Sequence, residues 1–280
     1  MSCESTPLVS VCIPLYNGGP YIREAIESIL AQTLTDWELV ITDDGSTDGS
    51  AETVSSYSDP RIRYVRNPER LGAEGNWNRC VSEARGVYCK LLCHDDRLHS
   101  DCLARQVAIF KNSGNSSVSL VTSARRIVSP EGKTILTRRW KRRDQLIEGV
   151  RAIRQIVRSG TNLIGEPSAV LFRTSDWKES GKFSARYPYV IDLDFWFQLL
   201  RCRDCFYLTD PLCDFRVSAQ SWSFQLLSQQ SGQTMALFSE AARVSGASIS
   251  GLDILFGSCK ARLWAFLRHL VYRRVCYAND

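Results

Sequence analysis

No apolar run in this 280-residue chain reaches the roughly 18–20 residues that a membrane-spanning helix needs. The first residues also lack a basic segment followed by an apolar stretch, the pattern of an export leader. The expectation is a protein neither exported by that route nor membrane-spanning. Its 11 cysteines are odd in number and irregularly spaced, which does not suit a secreted disulfide scaffold and fits a reducing cytoplasm. Cys202 and Cys205 form a lone CxxC with no second pair at zinc spacing and no thioredoxin-like surroundings, so neither a metal nor a redox centre is expected there. No basic stripe interleaves with aromatic residues, which argues against a nucleic-acid partner. A glycine-rich phosphate loop with a catalytic lysine is missing too; Gly18-Gly19-Pro20 is a poor version of one, and this weighs against a sugar nucleotidyltransferase. No long linker or low-complexity stretch divides the chain, so one structural domain is expected.

The apolar content is ample for a buried core, and the net charge of +5 with a pI near 8.6 is mild. The one dense basic run, Arg138-Arg139-Trp140-Lys141-Arg142-Arg143, reads first as a solvated loop and second as an anion or membrane contact. Val9–Ile13 is a β-rich run closed by Pro14, and Tyr21 to Gln32 then carries Ile22, Ala25, Ile26, Ile29 and Leu30 at helical spacing. A second strand ends at Asp43-Asp44, Asp48 is placed to cap a following helix, and Arg61 to Arg66 alternates like an edge strand. Ala73, Trp77, Cys80, Val81 and Ala84 share one helical face before the strand Val87 to Leu92; a helix from Ser100 and the strand Val118 to Ser123 follow. Strands alternating with helices predict an α/β fold, a mostly parallel sheet with helices on both faces.

Two acid pairs, Asp43-Asp44 and Asp95-Asp96, each sit just beyond a strand. Ligands bind outside the carboxyl ends of strands in open α/β sheets, and hard cations prefer oxygen ligands. A DDG turn by itself is equally a plain turn, because Asp and Gly favour that geometry anywhere.

Six segments in order resemble the family 2 glycosyltransferases, inverting enzymes of the GT-A fold that use nucleoside-diphosphate sugars. They are Val9-Ser10-Val11-Cys12-Ile13-Pro14-Leu15-Tyr16-Asn17, the DDGSTD stretch at 43–48, Gly75-Asn76-Trp77-Asn78, His94-Asp95-Asp96, Gly165-Glu166-Pro167-Ser168 and Asp192-Leu193-Asp194-Phe195-Trp196. The resemblance implies a Rossmann-like sheet with C-terminal helices. Its catalytic domain would occupy residues 1–225, a nucleotide-sugar half at about 7–125 and an acceptor half at 126–225, with a helical extension at 226–280. It also implies that Pro14, Tyr16 and Asn76 help bind the nucleotide, that Asp44 accepts from the base edge, and that Asp43 sets the turn. Asp95 is expected toward the ribose and Asp96 on a Mn²⁺ or Mg²⁺ ion bridging the diphosphate, where a cation neutralises the departing charge.

Asp192 aligns with the family's general base, which takes the acceptor hydroxyl's proton as that oxygen attacks the anomeric carbon. Glu166 and Asp194 are placed toward the acceptor or donor sugar. Two residues of helix turn Asp194 about 200° from Asp192, so residue spacing makes it instead a helix-start acid or hydrogen-bond anchor. The chain departs from the family at Ile191, where many members carry an acid, and at Ser218, where an Arg-Val-His histidine is usual. Arg216 of that segment is expected on the diphosphate or in a salt bridge. The implied function is metal-dependent transfer from a nucleotide sugar, UDP favoured, to a glycan or lipid-linked acceptor, in surface polysaccharide assembly. A non-catalytic nucleotide-sugar-binding or scaffold protein on the same fold is the alternative.

From Leu252 to Arg274, Leu263, Trp264, Phe266, Leu267, Leu270 and Val271 mix with Lys260, Arg262, Arg268, Arg273 and Arg274. Such a segment lies on an anionic bilayer or packs on its own domain; the expected location is the cytoplasm, with peripheral contact at the inner membrane face under the first reading.

Overall fold

The computed structural model describes residues 6–244 and 249–276. The side chain of Arg274 and residues 277–280 of the expected extension lie outside the described residues. The strands are β1 (Val9–Leu15), β2 (Trp37–Asp43), β3 (Ile62–Arg66), β4 (Tyr88–Leu91), β5 (Arg97–Leu98), β6 (Val118–Val128), β7 (Thr134–Arg138), β8 (Gln145–Ile147), β9 (Val170–Arg173) and β10 (Asp204–Arg216). The helices are α1 (Tyr21–Leu30), α2 (Ser50–Ser55), α3 (Gly72–Ser82), α4 (Cys102–Lys111), α5 (Gly149–Ser159), α6 (Thr174–Ser180), α7 (Ile191–Leu200), α8 (Trp222–Gln225), α9 (Gln230–Val244) and α10 (Gly251–Cys276).

All ten strands join one sheet in the order β3-β2-β1-β4-β9-β6-β10-β5, with β7 on β6 and β8 on β10. β3, β2, β1 and β4 run parallel, as do β6 and β10, whereas β9 runs antiparallel to both β4 and β6. Every residue of β1 and β2 is buried, as expected of central parallel strands covered on both faces. Val9, Val11, Ile13 and Leu15 point into a core shared with α1 and α4, while Cys12 points the other way, toward α3, α5 and α7. That two-residue period is how one strand feeds two cores.

The basic run at 138–143 is not wholly a solvated loop. Arg138 closes β7 and is half-buried, because β7 pairs with β6 and draws it over the sheet. The long α10 rests on α5 and α9. It docks through small residues: a Cβ at Gly257 would lie 2.0 Å from the Val157 carbonyl oxygen, and one at Gly160 2.6 Å from the Ala261 nitrogen. Close approach there leaves the large apolar side chains of α10 facing outward. No helix among the described residues is long and apolar enough to cross a membrane.

Candidate active site

The register Leu15↔Asp43 in β1–β2 and Cys12↔Leu91 in β1–β4 aligns the carboxyl ends of three strands. The loops beyond them wall a cavity of about 780 Å³, into which Pro14, Tyr16, Asp44, Asn76 and Asp95 all face.

The first acid pair divides its work. Asp43 is fully buried and accepts from the Ser46 amide (2.8 Å) and the Tyr64 hydroxyl (2.6 Å), which closes the turn after β2. Asp44, on the cavity wall, accepts from the Leu71 amide (2.7 Å), the Gly72 amide (2.9 Å) and the Asn67 side chain (2.8 Å). It therefore anchors the loop that enters α3. Asn76 donates to the carbonyls of Leu15 (3.2 Å) and Thr42 (3.1 Å) and accepts from Asn67 (3.0 Å), bracing the ends of β1 and β2. Tyr16 stands at the rim with the Arg70 guanidinium 4.0 Å from its ring centroid.

The second pair also splits. Asp95 faces the cavity. Asp96 is buried behind it and accepts from the Ser168 hydroxyl (2.5 Å) and the Arg216 amide (2.9 Å). Burial, and then the neighbouring Asp95 charge, hold the Asp96 carboxyl well above its usual range. Cys93, Asp95 and Asp96 can bring one ligand atom each within 4.8 Å of one another. Two carboxylates this close repel unless a cation or proton intervenes.

Asp192 opens α7 and is 9% exposed. Its Oδ2 accepts from Asn162 Nδ2 at 3.0 Å. Burial raises its carboxyl to about 7; the Glu166 charge adds to this and the Leu193 backbone opposes it. Neither Asp192 nor Glu166 lines the cavity itself. Both sit close behind the second pair, since the Asp192 charge acts on Cys93 of the cavity wall and the Glu166 charge acts on Asp96. Glu166 pairs with Arg125 at 2.5 Å. Burial raises its carboxyl, but Arg125 and Arg138 outweigh this and leave it below the usual range.

Two expected site residues are turned inward. Asp194 is fully buried, and both of its oxygens are held by Arg186 (2.6 and 3.0 Å), which makes it an anchor within the fold rather than a sugar contact. Arg216 is 1% exposed and gives its donors to the carbonyls of Asp95 (2.9 Å) and Pro130 (2.5 Å) and to Glu24 (2.6 Å), so it braces the second acid pair from behind instead of facing the diphosphate. Ser218 lines the cavity where the family histidine was expected. Cys202 is exposed and Cys205 buried, each a free thiol.

Against known proteins, the sequence family described as "Glycosyl transferase family 2" matches residues 10–174. The chain belongs to that family: it is a family 2 glycosyltransferase. It is 36% identical over 209 residues to the uncharacterized protein MT1568 of Mycobacterium tuberculosis, a match covering 71% of this chain and 64% of that relative's length. Among solved structures it is similar to S. aureus TarS 1–349 in complex with UDP (TM-score 0.66, 19% identity, 95% of this chain and 73% of that one). It is also similar to the mannosyltransferase PcManGT of Pyrobaculum calidifontis in complex with GDP-Man and Mn²⁺ (TM-score 0.64, 18% identity, 99% and 77%). At these identities the likeness is one of fold, and the fold is GT-A.

Several residues that build the candidate site carry no motif signal. Asn67 and Asn162 orient Asp44 and Asp192, and Ser168 ties Asp96 to the loop after α5. Lys90, fully buried, donates to the carbonyls of Ser168 (2.9 Å) and Val170 (3.1 Å) and locks that loop onto β4. A lysine inside an otherwise apolar strand was the available sign, because a buried ammonium needs partners.

Proposed function

We propose that this glycosyltransferase moves a sugar from a nucleoside-diphosphate sugar, a UDP-sugar favoured, to a hydroxyl of a glycan or lipid-linked acceptor by one inverting displacement. The observation that carries the proposal is Asp192: a buried carboxylate with a pKa of about 7, oriented by Asn162 at the edge of the second acid pair. A general base works best with a pKa near the working pH. Asp192 would accept the acceptor hydroxyl's proton as the new bond forms opposite the departing diphosphate. Asp44, Tyr16 and Pro14, on the cavity wall, would receive the nucleotide.

Asp95 and Asp96 fit a hard divalent cation, two carboxylates whose mutual repulsion such an ion relieves, and they would hold it. When bound, Mn²⁺ or Mg²⁺ supplies positive charge to the leaving diphosphate. The neighbours' contents, UDP in TarS and GDP-Man with Mn²⁺ in PcManGT, agree with this chemistry. Peripheral attachment of α10 to an anionic membrane surface is a second element of the proposal, motivated by its outward Leu255, Phe256, Leu263 and Phe266 beside Lys260 and Arg262.

The test is a thermal-shift screen of nucleoside diphosphates with and without Mn²⁺, followed by turnover of a donor panel. UDP is expected to raise the midpoint, more so with Mn²⁺. Binding without turnover, indifferent to Asp192→Asn, would instead identify a sugar-nucleotide-binding scaffold.

A further inference from the structure

Three arginines from separate elements, Arg125 of β6, Arg138 of β7 and Arg268 of α10, form a group centred on Arg138, which feels the charges of the other two and of Glu166. Arg125 is neutralised by its ion pair with Glu166 and also donates to the Asn162 carbonyl (3.2 Å). Gly165 permits this approach, since a Cβ there would lie 3.1 Å from the Arg125 guanidinium and the residue has φ +113°. The other two arginines have only neutral partners. Arg138 donates to the Thr161 hydroxyl (3.1 Å), and Arg268 donates to the Gln230 side chain (2.7 Å) and stands 5.6 Å from the Tyr189 ring centroid. No carboxylate among the described residues lies within ion-pair distance of either.

Both residues are partly buried. Burial, then Arg125, and further Arg268, lower Arg138 to about 10, with Glu166 opposing, so it remains charged at neutral pH yet strained by its like-charged neighbours. The cluster thus holds three positive charges against one negative, adjoining Asp192 through the Arg125–Asn162–Asp192 chain. Gathering cations in a half-dry place is costly unless an anion completes the set, and guanidinium groups suit carboxylate and phosphate.

We propose that the acceptor carries an anionic group, a phosphate or a carboxylate, that docks between Arg138 and Arg268 and so presents a neighbouring hydroxyl to Asp192. The helix α10, set close to α5 by Gly257 and Gly160, then forms part of the acceptor site and does more than pack on the domain. This rests on the reading of Asp192 as the base; the two fail separately, one in turnover and the other in binding selectivity.

The experiment measures binding of three methyl glycosides to the full chain saturated with UDP and Mn²⁺: a uronic acid, a 6-phosphosugar and the neutral hexose. At least one charged glycoside is expected to bind about tenfold tighter than the neutral one, and whichever does so identifies carboxylate or phosphate. Arg138→Gln and Arg268→Gln should each collapse that ratio toward one, while Arg138→Lys and Arg268→Lys keep much of it. A merely structural role would weaken all three glycosides alike. Equal binding of charged and neutral glycosides, no binding of any, or a ratio untouched by both Gln variants overturns the proposal. Should selectivity hold while Asp192→Asn retains full turnover, the base assignment falls and the anionic subsite stands.

Discussion

The side chain of Asn162 donates to Oδ2 of Asp192 over 3.0 Å while its own carbonyl oxygen accepts from the Gly165 amide at 2.9 Å. One residue therefore ties the carboxylate at the start of α7 to the turn that presents Glu166. A hydrogen bond to the ionised form holds a carboxyl pKa down, so it opposes the burial that drives Asp192 up to about 7.

The acid limb of kcat/KM against pH is expected near 7, with activity rising as Asp192 loses its proton. Asn162→Ala removes a bond to the charged form and should move that limb upward by roughly half to one unit. A limb that stays in place would show that another group governs it.

Asp192→Asn should lower transfer by roughly 10²–10⁴-fold, as removal of a general base does. Stability should move the other way. The folded pKa of about 7 lies above the ordinary 3.8, so below about pH 4 the proton is bound in both states and Asp192 costs nothing. Between pH 4 and 7 the unfolded chain releases it first, and stability falls as pH rises. The variant escapes this, so its melting advantage should grow from pH 4 to 7 and then level off, reaching on the order of a few kcal/mol. Parallel melting curves across that range would contradict the assignment.

Asp95 and Asp96 should separate in their effects. Asp95→Ala is expected to abolish the Mn²⁺-dependent part of the UDP thermal shift while leaving the ligand-free midpoint nearly unchanged, because its carboxylate faces the cavity. Asp96→Ala also strands the buried Ser168 hydroxyl and Arg216 amide, which should cost roughly 1–3 kcal/mol of stability. Calorimetry with and without Mn²⁺ reads both.

Asp44→Ala releases the Leu71 and Gly72 amides and the Asn67 side chain together. UDP stabilisation should vanish, and amide exchange across residues 67–72 should quicken. Intact UDP binding would leave Asp44 a purely structural anchor.

Replacing Leu263, Phe266, Leu267 and Leu270 with serine should sharply reduce pelleting with anionic vesicles, because these side chains are exposed on α10. Equal pelleting of the two proteins would end the membrane reading.

The parallel strands β1, β2 and β4 were legible because burial on both faces demands continuous apolar runs, and α1 because Ile22, Ala25, Ile26 and Ile29 keep a helical period. β10 was not. Its 13 residues include Pro211, and its register with β6 shifts more than once, so no local pattern announces it. Asp48 shows a partial success: it accepts from Ser50 at the start of α2 (3.2 Å), but it also holds the Gly19 amide (2.7 Å), a contact 29 residues away.

Local sequence determined that acids would stand at strand ends, since apolar runs closed by Asp-Asp leave the carboxylates at the mouth of a sheet. Tertiary structure alone decided which acid of each pair faces the cavity, that Arg186 claims Asp194, and that Arg216 turns inward to Glu24 and the Asp95 carbonyl. It also decided that Arg268, 130 residues further along the chain, would come within electrostatic reach of Arg138. The physical reason is range: periodicity and turn chemistry act over a few residues, whereas a side chain's direction and charge state depend on partners supplied by distant elements once the chain has packed.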